Sequence, residues 1–208
     1  MPAIPANATN NTAMWLGVVA SARGYREEIR EYRAVVLPAI AVSLVGSVGG
    51  ALLLLHTPAK TFERMIPWLL LFATIVFALS PLVTGAHKSK RVHSPWQLCA
   101  QFAVSVYGGY FGAGMGIMML AILALSALPT MNAMNGVKNL LSLVINGIAV
   151  VPFVIAGVIW WPVALSMAVF AMAGGYVGAR VFRRVPSRIT RVVVLCIGAG
   201  MTAYFFAK

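Results

Sequence analysis

Residues 34–55 read AVVLPAIAVSLVGSVGGALLLL, and residues 65–86 read MIPWLLLFATIVFALSPLVTGA. Neither run contains a charged residue, and two longer uncharged runs follow at 92–137 and 139–179. A helix needs about 20 mostly apolar residues to cross a bilayer, so these runs predict membrane-spanning helices. The expected fold class is an all-α membrane protein, a polytopic helical bundle.

The composition agrees with this class and disfavours a soluble enzyme. Only 10% of the 208 residues are charged and 61% are hydrophobic, whereas a soluble domain carries about 25% charged residues. The chain has 16 Lys and Arg against 4 acidic residues, all of them Glu. The basic residues cluster between apolar runs, which favours contact with lipid headgroups at the bilayer surface over nucleic-acid binding.

The uncharged runs divide into seven predicted spans. These spans are 5–22, 34–55, 62–84, 97–128, 132–157, 160–182 and 188–207. The fourth would be about 48 Å long as one straight helix, against a hydrocarbon core of about 30 Å. Because it also contains the glycine-rich stretch 108–116, we expect a bent, broken or re-entrant helix there.

Two short patterns recur at nearly the same offset. Asn7-Ala-x-Asn10 recurs as Asn132-Ala-x-Asn135, 125 residues later. Gly46-x-x-x-Gly50-Ala51 recurs as Gly174-x-x-x-Gly178-Ala179, 128 residues later. Duplicated halves are typical of transporters, whose sites form where the halves meet. Taken alone, the glycine pairs indicate close helix packing.

The repeat divides the chain into a first half at 1–86, a basic linker at 87–96 and a second half at 97–208. The glycine-rich segment 97–128 opens the second half, and its counterpart would precede Met1. We therefore expect the first half to lack its first helix, which leaves about seven spans of an eight-span plan.

Lys138 is the only charged residue within 92–179. A lysine at the bilayer centre costs about 2.5–3.5 kcal/mol. In one interpretation, Lys138 lies one turn inside the membrane and extends its ammonium group to the headgroups. In the other, it faces a water-filled cavity and attracts an anionic substrate. Asn135, Asn139 and Asn146 share one helical face that Lys138 borders, which favours the second interpretation.

The glycines at 112, 114 and 116 also fit an anion site. Glycine lets backbone N–H groups approach a ligand, and a helix N-terminus attracts anions. The alternative is a glycine-lined packing face. The candidate substrate-binding residues are Gly112, Gly114, Gly116, Asn132, Asn135, Lys138, Asn139, Asn146 and, from the first half, Asn7 and Asn10.

Nothing in the sequence predicts a cofactor, a metal site or catalysis. No nucleotide-binding loop, no His-Glu-x-x-His pattern and no cluster of acids at a span end is present. Cys99 and Cys196 lie far apart in apolar runs, so they predict neither a disulfide framework nor a zinc site. We expect both thiols to be buried as small hydrophobic groups.

Several motifs of the chain match one known family of membrane proteins. They are Gly109-Tyr-Phe-Gly112-Ala-Gly114-Met-Gly116, Asn132-Ala-Met-Asn135-Gly136-Val-Lys138-Asn139, Asn146, Gly174-Gly175-Tyr-Val-Gly178-Ala179 and Pro186-Ser-Arg188. On these motifs, the segment from Tyr107 to Phe206 resembles the second half of the TauE/SafE sulfite exporter family, also called the toluene sulfonate uptake permease family. Residues 5–84 resemble its first half from the second helix onward. Val137 stands where the family has a small hydroxyl residue.

This resemblance implies a secondary transporter of sulfite, sulfonates or related sulfur-containing or organic anions. The expected location is the cell membrane, and the bacterial inner membrane in particular. The expected partners are the lipid bilayer, a small anionic substrate and further copies in a homo-oligomer, with no nucleic acid. The alternative is a non-transporting membrane partner or a truncated, inactive remnant of such a transporter.

Overall fold

The computed structural model describes residues 1–22, 32–84, 95–126, 128, 131–182 and 187–207. Within these ranges the regular secondary structure is helical, with no strand. In chain order, the helices there are α1 (Ala3–Ala22), α2 (Arg33–His56), α3 (Ala59–Thr84), α4 (Pro95–Tyr110), α5 (Met115–Ala124), α6 (Met131–Ile155), α7 (Trp161–Phe182) and α8 (Ser187–Ala207).

Six of the seven predicted spans each correspond to one helix whose ends lie within three residues of the prediction. The fourth span is broken into α4 and α5, which confirms the expected break. Within the described residues, three segments are long and apolar enough to cross a membrane by length and composition alone: α2, Ala59–Leu79 of α3 and Ala133–Ile155 of α6. The all-helical fold class is confirmed.

Two of the tight turns between helices follow from local sequence. α2 stops at Thr57, whose N–H and hydroxyl bond to the carbonyl groups of Leu54 and Leu53, and Pro58 follows. α6 is followed by Gly157, which has φ +66°. Glycine adopts this left-handed conformation without the strain that a Cβ atom causes, so it commonly ends helices.

The most extensive helix pair is α2 with α4. A methyl group added to Gly50 would collide with the carbonyl oxygen of Val106 and lie 2.9 Å from the Tyr110 nitrogen. A methyl group on Gly109 would collide in the same way with the carbonyl group of Ser47. The two backbones are therefore in direct contact, as glycines permit in membrane helices.

Buried hydroxyl and amide groups run along the same interface. The Gln101 Nε2 group and the Ser105 hydroxyl each lie 3.0 Å from Ser43 Oγ, and all three side chains are buried. One turn further along α2, the Ser47 hydroxyl donates to the carbonyl oxygen of Ile145 in α6. These bonds tie α2, α4 and α6 together where apolar packing alone would not fix their register.

The contacts that α1 and α2 make with α6 and α7 can be compared under the predicted repeat. α1 packs on α6 and on α7, and α2 packs on α6. If α1 corresponds to α6 and α2 to α7, then the α1–α7 and α2–α6 contacts are equivalent. The glycines differ, however: a methyl group on Gly46 would lie 2.9 Å from Ser105 Cβ, whereas one on Gly174 would meet nothing within 4 Å.

The expected burial of the two cysteines is wrong. Cys99 and Cys196 are free thiols exposed on the outside of the bundle. In a membrane protein the outer face meets lipid, which is as apolar as a protein core. An apolar run therefore does not distinguish a buried thiol from a lipid-facing one.

The neighbouring glycines 49 and 50 give a matched test of the α2–α4 contact. We expect Gly50→Ala to lower stability by about 1–3 kcal/mol, because the added carbon meets backbone atoms that cannot rotate away. Gly49→Ala is the control, since nothing lies within 4 Å of its added methyl group and alanine favours helices. Thermal unfolding of both purified variants in one detergent measures the difference. Equal midpoints would contradict the close α2–α4 packing.

Candidate functional site

The break between α4 and α5 is built from two glycines in the left-handed region. Gly112 has φ +81° and Gly114 has φ +76°, conformations that other L-residues rarely adopt. The N–H groups of Phe111 and Gly112 both bond to the Tyr107 carbonyl oxygen, so α4 closes with a wide turn. The chain then re-enters a helix at Met115.

Side chains bond to the carbonyl groups that the break frees. The Tyr107 hydroxyl donates to the Ala113 carbonyl oxygen at 2.8 Å. Asn7 of α1 donates from Nδ2 to the Tyr110 carbonyl oxygen at 3.0 Å. In an apolar bundle such groups are costly without partners, so these two bonds hold the break in one shape and attach it to α1.

α5 begins at the break without a side-chain cap. Its N-cap residue is Gly114, which has no side chain to offer, and Ile117 N–H bonds to the Gly114 carbonyl oxygen. A helix N-terminus carries a partial positive charge from its aligned peptide dipoles. The α5 N-terminus is therefore an electropositive point inside the bundle.

The side chain of Lys138 lies against this helix end. A methyl group on Gly116 would be 3.6 Å from Lys138 Cδ, so the lysine stem runs along the first turn of α5. Lys138 is half-buried, and it forms no ion pair with another described residue. Glu63 is exposed on α3, and the other three glutamates lie outside the described residues. A lysine and a helix N-terminus thus meet without a described carboxylate.

The predicted asparagines differ in burial and in whether they contact the break. On α6, Asn146 is buried, Asn135 and Asn139 are half-buried, and Asn132 lies in the first turn of the helix. On α1, Asn7 is half-buried and bonds to the break, as described above. The structure thus brings Asn7, Lys138 and the three glycines to the break. Asn10 lies on the exposed surface of α1.

Asn11 of α1 belongs to the site and was not among the predicted residues. Its side chain is 5% exposed, and neither its Nδ2 nor its Oδ1 atom has a hydrogen-bond partner among the described residues. A methyl group on Gly112 would lie 4.0 Å from Asn11 Nδ2. The signal was available, because Asn7 and Asn11 are four residues apart and share a helical face.

Other parts of the described structure are weaker candidates for a functional site. A cavity of about 810 Å³ opens near the start of α1, the start of α3 and the end of α8, lined by Lys60, Glu63, Arg64 and Trp68 among others. It contains none of the predicted site residues. Across the described ranges, no three His, Cys, Asp or Glu side chains come together as metal ligands would.

Comparisons with known proteins find bacterial relatives. The chain is 27% identical over 165 residues to "Probable membrane transporter protein YfcA" of Escherichia coli (strain K12), covering 79% of this chain and 61% of the relative. It is 28% identical over 160 residues to "Probable membrane transporter protein" of Haemophilus influenzae, covering 76% and 63%. The chain thus spans about three fifths of the length of these curated relatives. No solved structure matches it.

The family comparison covers nearly the whole chain. The sequence profile of the family described as "Sulfite exporter TauE/SafE" matches residues 1–205. That range includes α1 to α7, most of α8 and both sides of the α4–α5 break. The chain is a multi-pass helical membrane protein that belongs to the TauE/SafE sulfite exporter family.

Proposed function

We propose that this protein is a secondary transporter of small anions, namely sulfite, sulfonates or related sulfur-containing or organic anions. The binding site is the α4–α5 break. The observation that carries the proposal is Lys138, a cation without a described acidic partner, lying along the first turn of α5. The relatives described as probable membrane transporters support transport across a membrane, without naming the substrate.

The charge at the break favours an anion. An ammonium group and a helix N-terminus both attract negative charge, and each does so more strongly where water is scarce. A bound anion would offset the positive charge that the bundle otherwise holds unpaired. The glycines at 112 and 114 leave room for a ligand oxygen to approach backbone N–H groups, which favours a compact anion.

The position of the break favours transport over catalysis. The break is contacted by α1 and α6, which correspond to each other in the predicted repeat. Broken helices at the interface of repeats are where secondary transporters bind substrate. No nucleotide-binding loop is present in the sequence, so the energy would come from an ion or voltage gradient. The bacterial relatives favour the inner membrane.

The charge of Lys138 is tested by a near-isosteric substitution. We expect Lys138→Met to lower kcat/KM for sulfite flux into proteoliposomes roughly 10- to 100-fold, since a charge-assisted hydrogen bond contributes about 1.5–3 kcal/mol. Lys138→Arg should retain more of the flux because it keeps the charge. Lys60→Met, at an exposed lysine of α3, is the control and should leave flux unchanged.

Two outcomes of this experiment would contradict the proposal. If Lys138→Met leaves saturable flux unchanged, Lys138 does not bind the substrate, and the interpretation in which its ammonium group extends to the lipid headgroups is favoured. Absence of flux of sulfite and of a simple sulfonate from the folded, inserted wild-type protein would favour the non-transporting alternative.

The backbone of the break is tested at two glycines with similar conformations. Gly112→Ala and Gly157→Ala each place a Cβ atom at positive φ, with a similar strain of about 1–2 kcal/mol. Only Gly112 lies at the break, so we expect Gly112→Ala to lower flux severalfold more than Gly157→Ala at equal loss of thermal stability. Flux and unfolding midpoints are measured on the same preparations. Equal flux in the two variants would place the site elsewhere.

A further inference from the structure

Asn11 is a buried polar side chain for which the fold itself provides no partner. It is 5% exposed, and in the described part of the structure both the Nδ2 and Oδ1 atoms are without a hydrogen bond. Buried amide groups in native proteins are nearly always bonded, so an exception needs a cause. The unpaired amide makes Asn11 the strongest candidate for a ligand-binding side chain in the described part of the chain.

Three nearby polar side chains of α1 that are wholly or partly buried, Asn7, Thr9 and Thr12, are bonded within the protein. Asn7 donates to the Tyr110 carbonyl oxygen. Thr12 donates to the Ala8 carbonyl oxygen at 2.9 Å, and Thr9 accepts the Trp160 N–H at 3.1 Å. The lack of partners at Asn11 is therefore specific to this position and is not a general property of the helix.

Asn11 is placed to contact a ligand at the break. It follows Asn7 by one helical turn on the same face of α1, and Asn7 already contacts the end of α4. The Asn11 Nδ2 atom would be 4.0 Å from a methyl group on Gly112, the first left-handed glycine of the break. An unpaired amide and the uncapped N-terminus of α5 thus lie at the two sides of one short loop.

The chemistry of the amide differs from that of the other site groups. Lys138 and the backbone N–H groups of the break can only donate hydrogen bonds. The Asn11 side chain donates from Nδ2 and also accepts at Oδ1. A ligand that satisfies Oδ1 must itself carry an O–H or N–H group, in addition to the oxygens that the donors bind.

We infer that Asn11 is a substrate-binding residue that selects small oxyanions carrying one protonated oxygen, such as hydrogensulfite, over fully deprotonated sulfonates. This inference rests on the proposed anion transport at the break. Hydrogensulfite offers oxygens to Lys138, to the α5 N-terminus and to Asn11 Nδ2, and its hydroxyl donates to Asn11 Oδ1. Methanesulfonate offers the same kind of oxygens but has no O–H group for Oδ1.

The test compares two anions in the wild-type protein and in Asn11→Leu. Saturable flux of sulfite, held at a pH where hydrogensulfite is the main species, is measured beside flux of methanesulfonate in proteoliposomes. We expect Asn11→Leu to weaken both, and to lower the preference for hydrogensulfite roughly fivefold, the effect of one further neutral hydrogen bond. Asn11→Ala, which cannot clash, should change the preference in the same direction.

A stability measurement separates binding from a structural role. Leucine is close to asparagine in size and needs no hydrogen bond, so without anion the unfolding midpoint of Asn11→Leu should equal or exceed that of the wild type. Thr12→Val, which removes a buried hydroxyl already bonded within α1, is the control and should leave the anion preference unchanged.

The outcomes distinguish this inference from the function on which it rests. Wild-type protein without saturable flux of either anion would overturn the proposed transport and this inference together. Saturable wild-type flux with an unchanged preference in both Asn11 variants would overturn the role of Asn11 alone. A lowered preference with an equal or higher midpoint would support it, whereas a clearly lower midpoint of Asn11→Leu would favour a structural role and contradict it.

Discussion

The break between α4 and α5 leaves peptide groups without helical hydrogen bonds inside an apolar bundle. Nearby side chains donate hydrogen bonds to some of these groups. A spanning helix normally bonds all of its backbone groups within itself, and an interruption removes that arrangement. Here Tyr107 and Asn7 bond to two of the carbonyl oxygens near the break. Asn7 comes from α1, so the first helix of the chain is joined to the loop that it helps to stabilise.

The glycine contacts between α2 and α4 determine where the break can lie. Gly50 and Gly109 bring the two backbones together, and the Ser43–Gln101–Ser105 cluster fixes their register. α4 is therefore held along most of its length, and the change of direction is confined to 111–114. A looser α4 would place α5, and with it the contact to Lys138, in a different position.

Hydropathy was sufficient to predict the helices, because an apolar segment of about 20 residues is stable in a bilayer only when its backbone groups are bonded within a helix. The break followed from two facts available in the sequence, an overlong span and left-handed-capable glycines at 112 and 114. Lys138 was identifiable because a lone charge in an apolar run is conspicuous. Its contact with Gly116 was not predictable, since that contact depends on how α5 folds back beside α6.

The asparagines of α1 show where sequence reasoning failed to reach the site. The offset of the repeat pairs Asn10 with Asn135, so it directs attention to Asn10, which lies on the exposed surface of α1. Asn11 is four residues from Asn7 and therefore lies on the same face of α1, beside the break. A repeat identifies equivalent positions in two halves, but it does not require both members to face the same neighbour.

Under the predicted repeat, the two halves contribute unlike groups near the break. At the offset of 125, Ala13 corresponds to Lys138 and Asn11 corresponds to Gly136. The second half therefore supplies the positive charge and the first half supplies a neutral amide, while the glycine break lies between them. If Lys138 and Asn11 bind the substrate as proposed, the positive charge is present once and a single anion neutralises it. The neutral amide of Asn11 would then distinguish one monovalent anion from another by its hydrogen bonds.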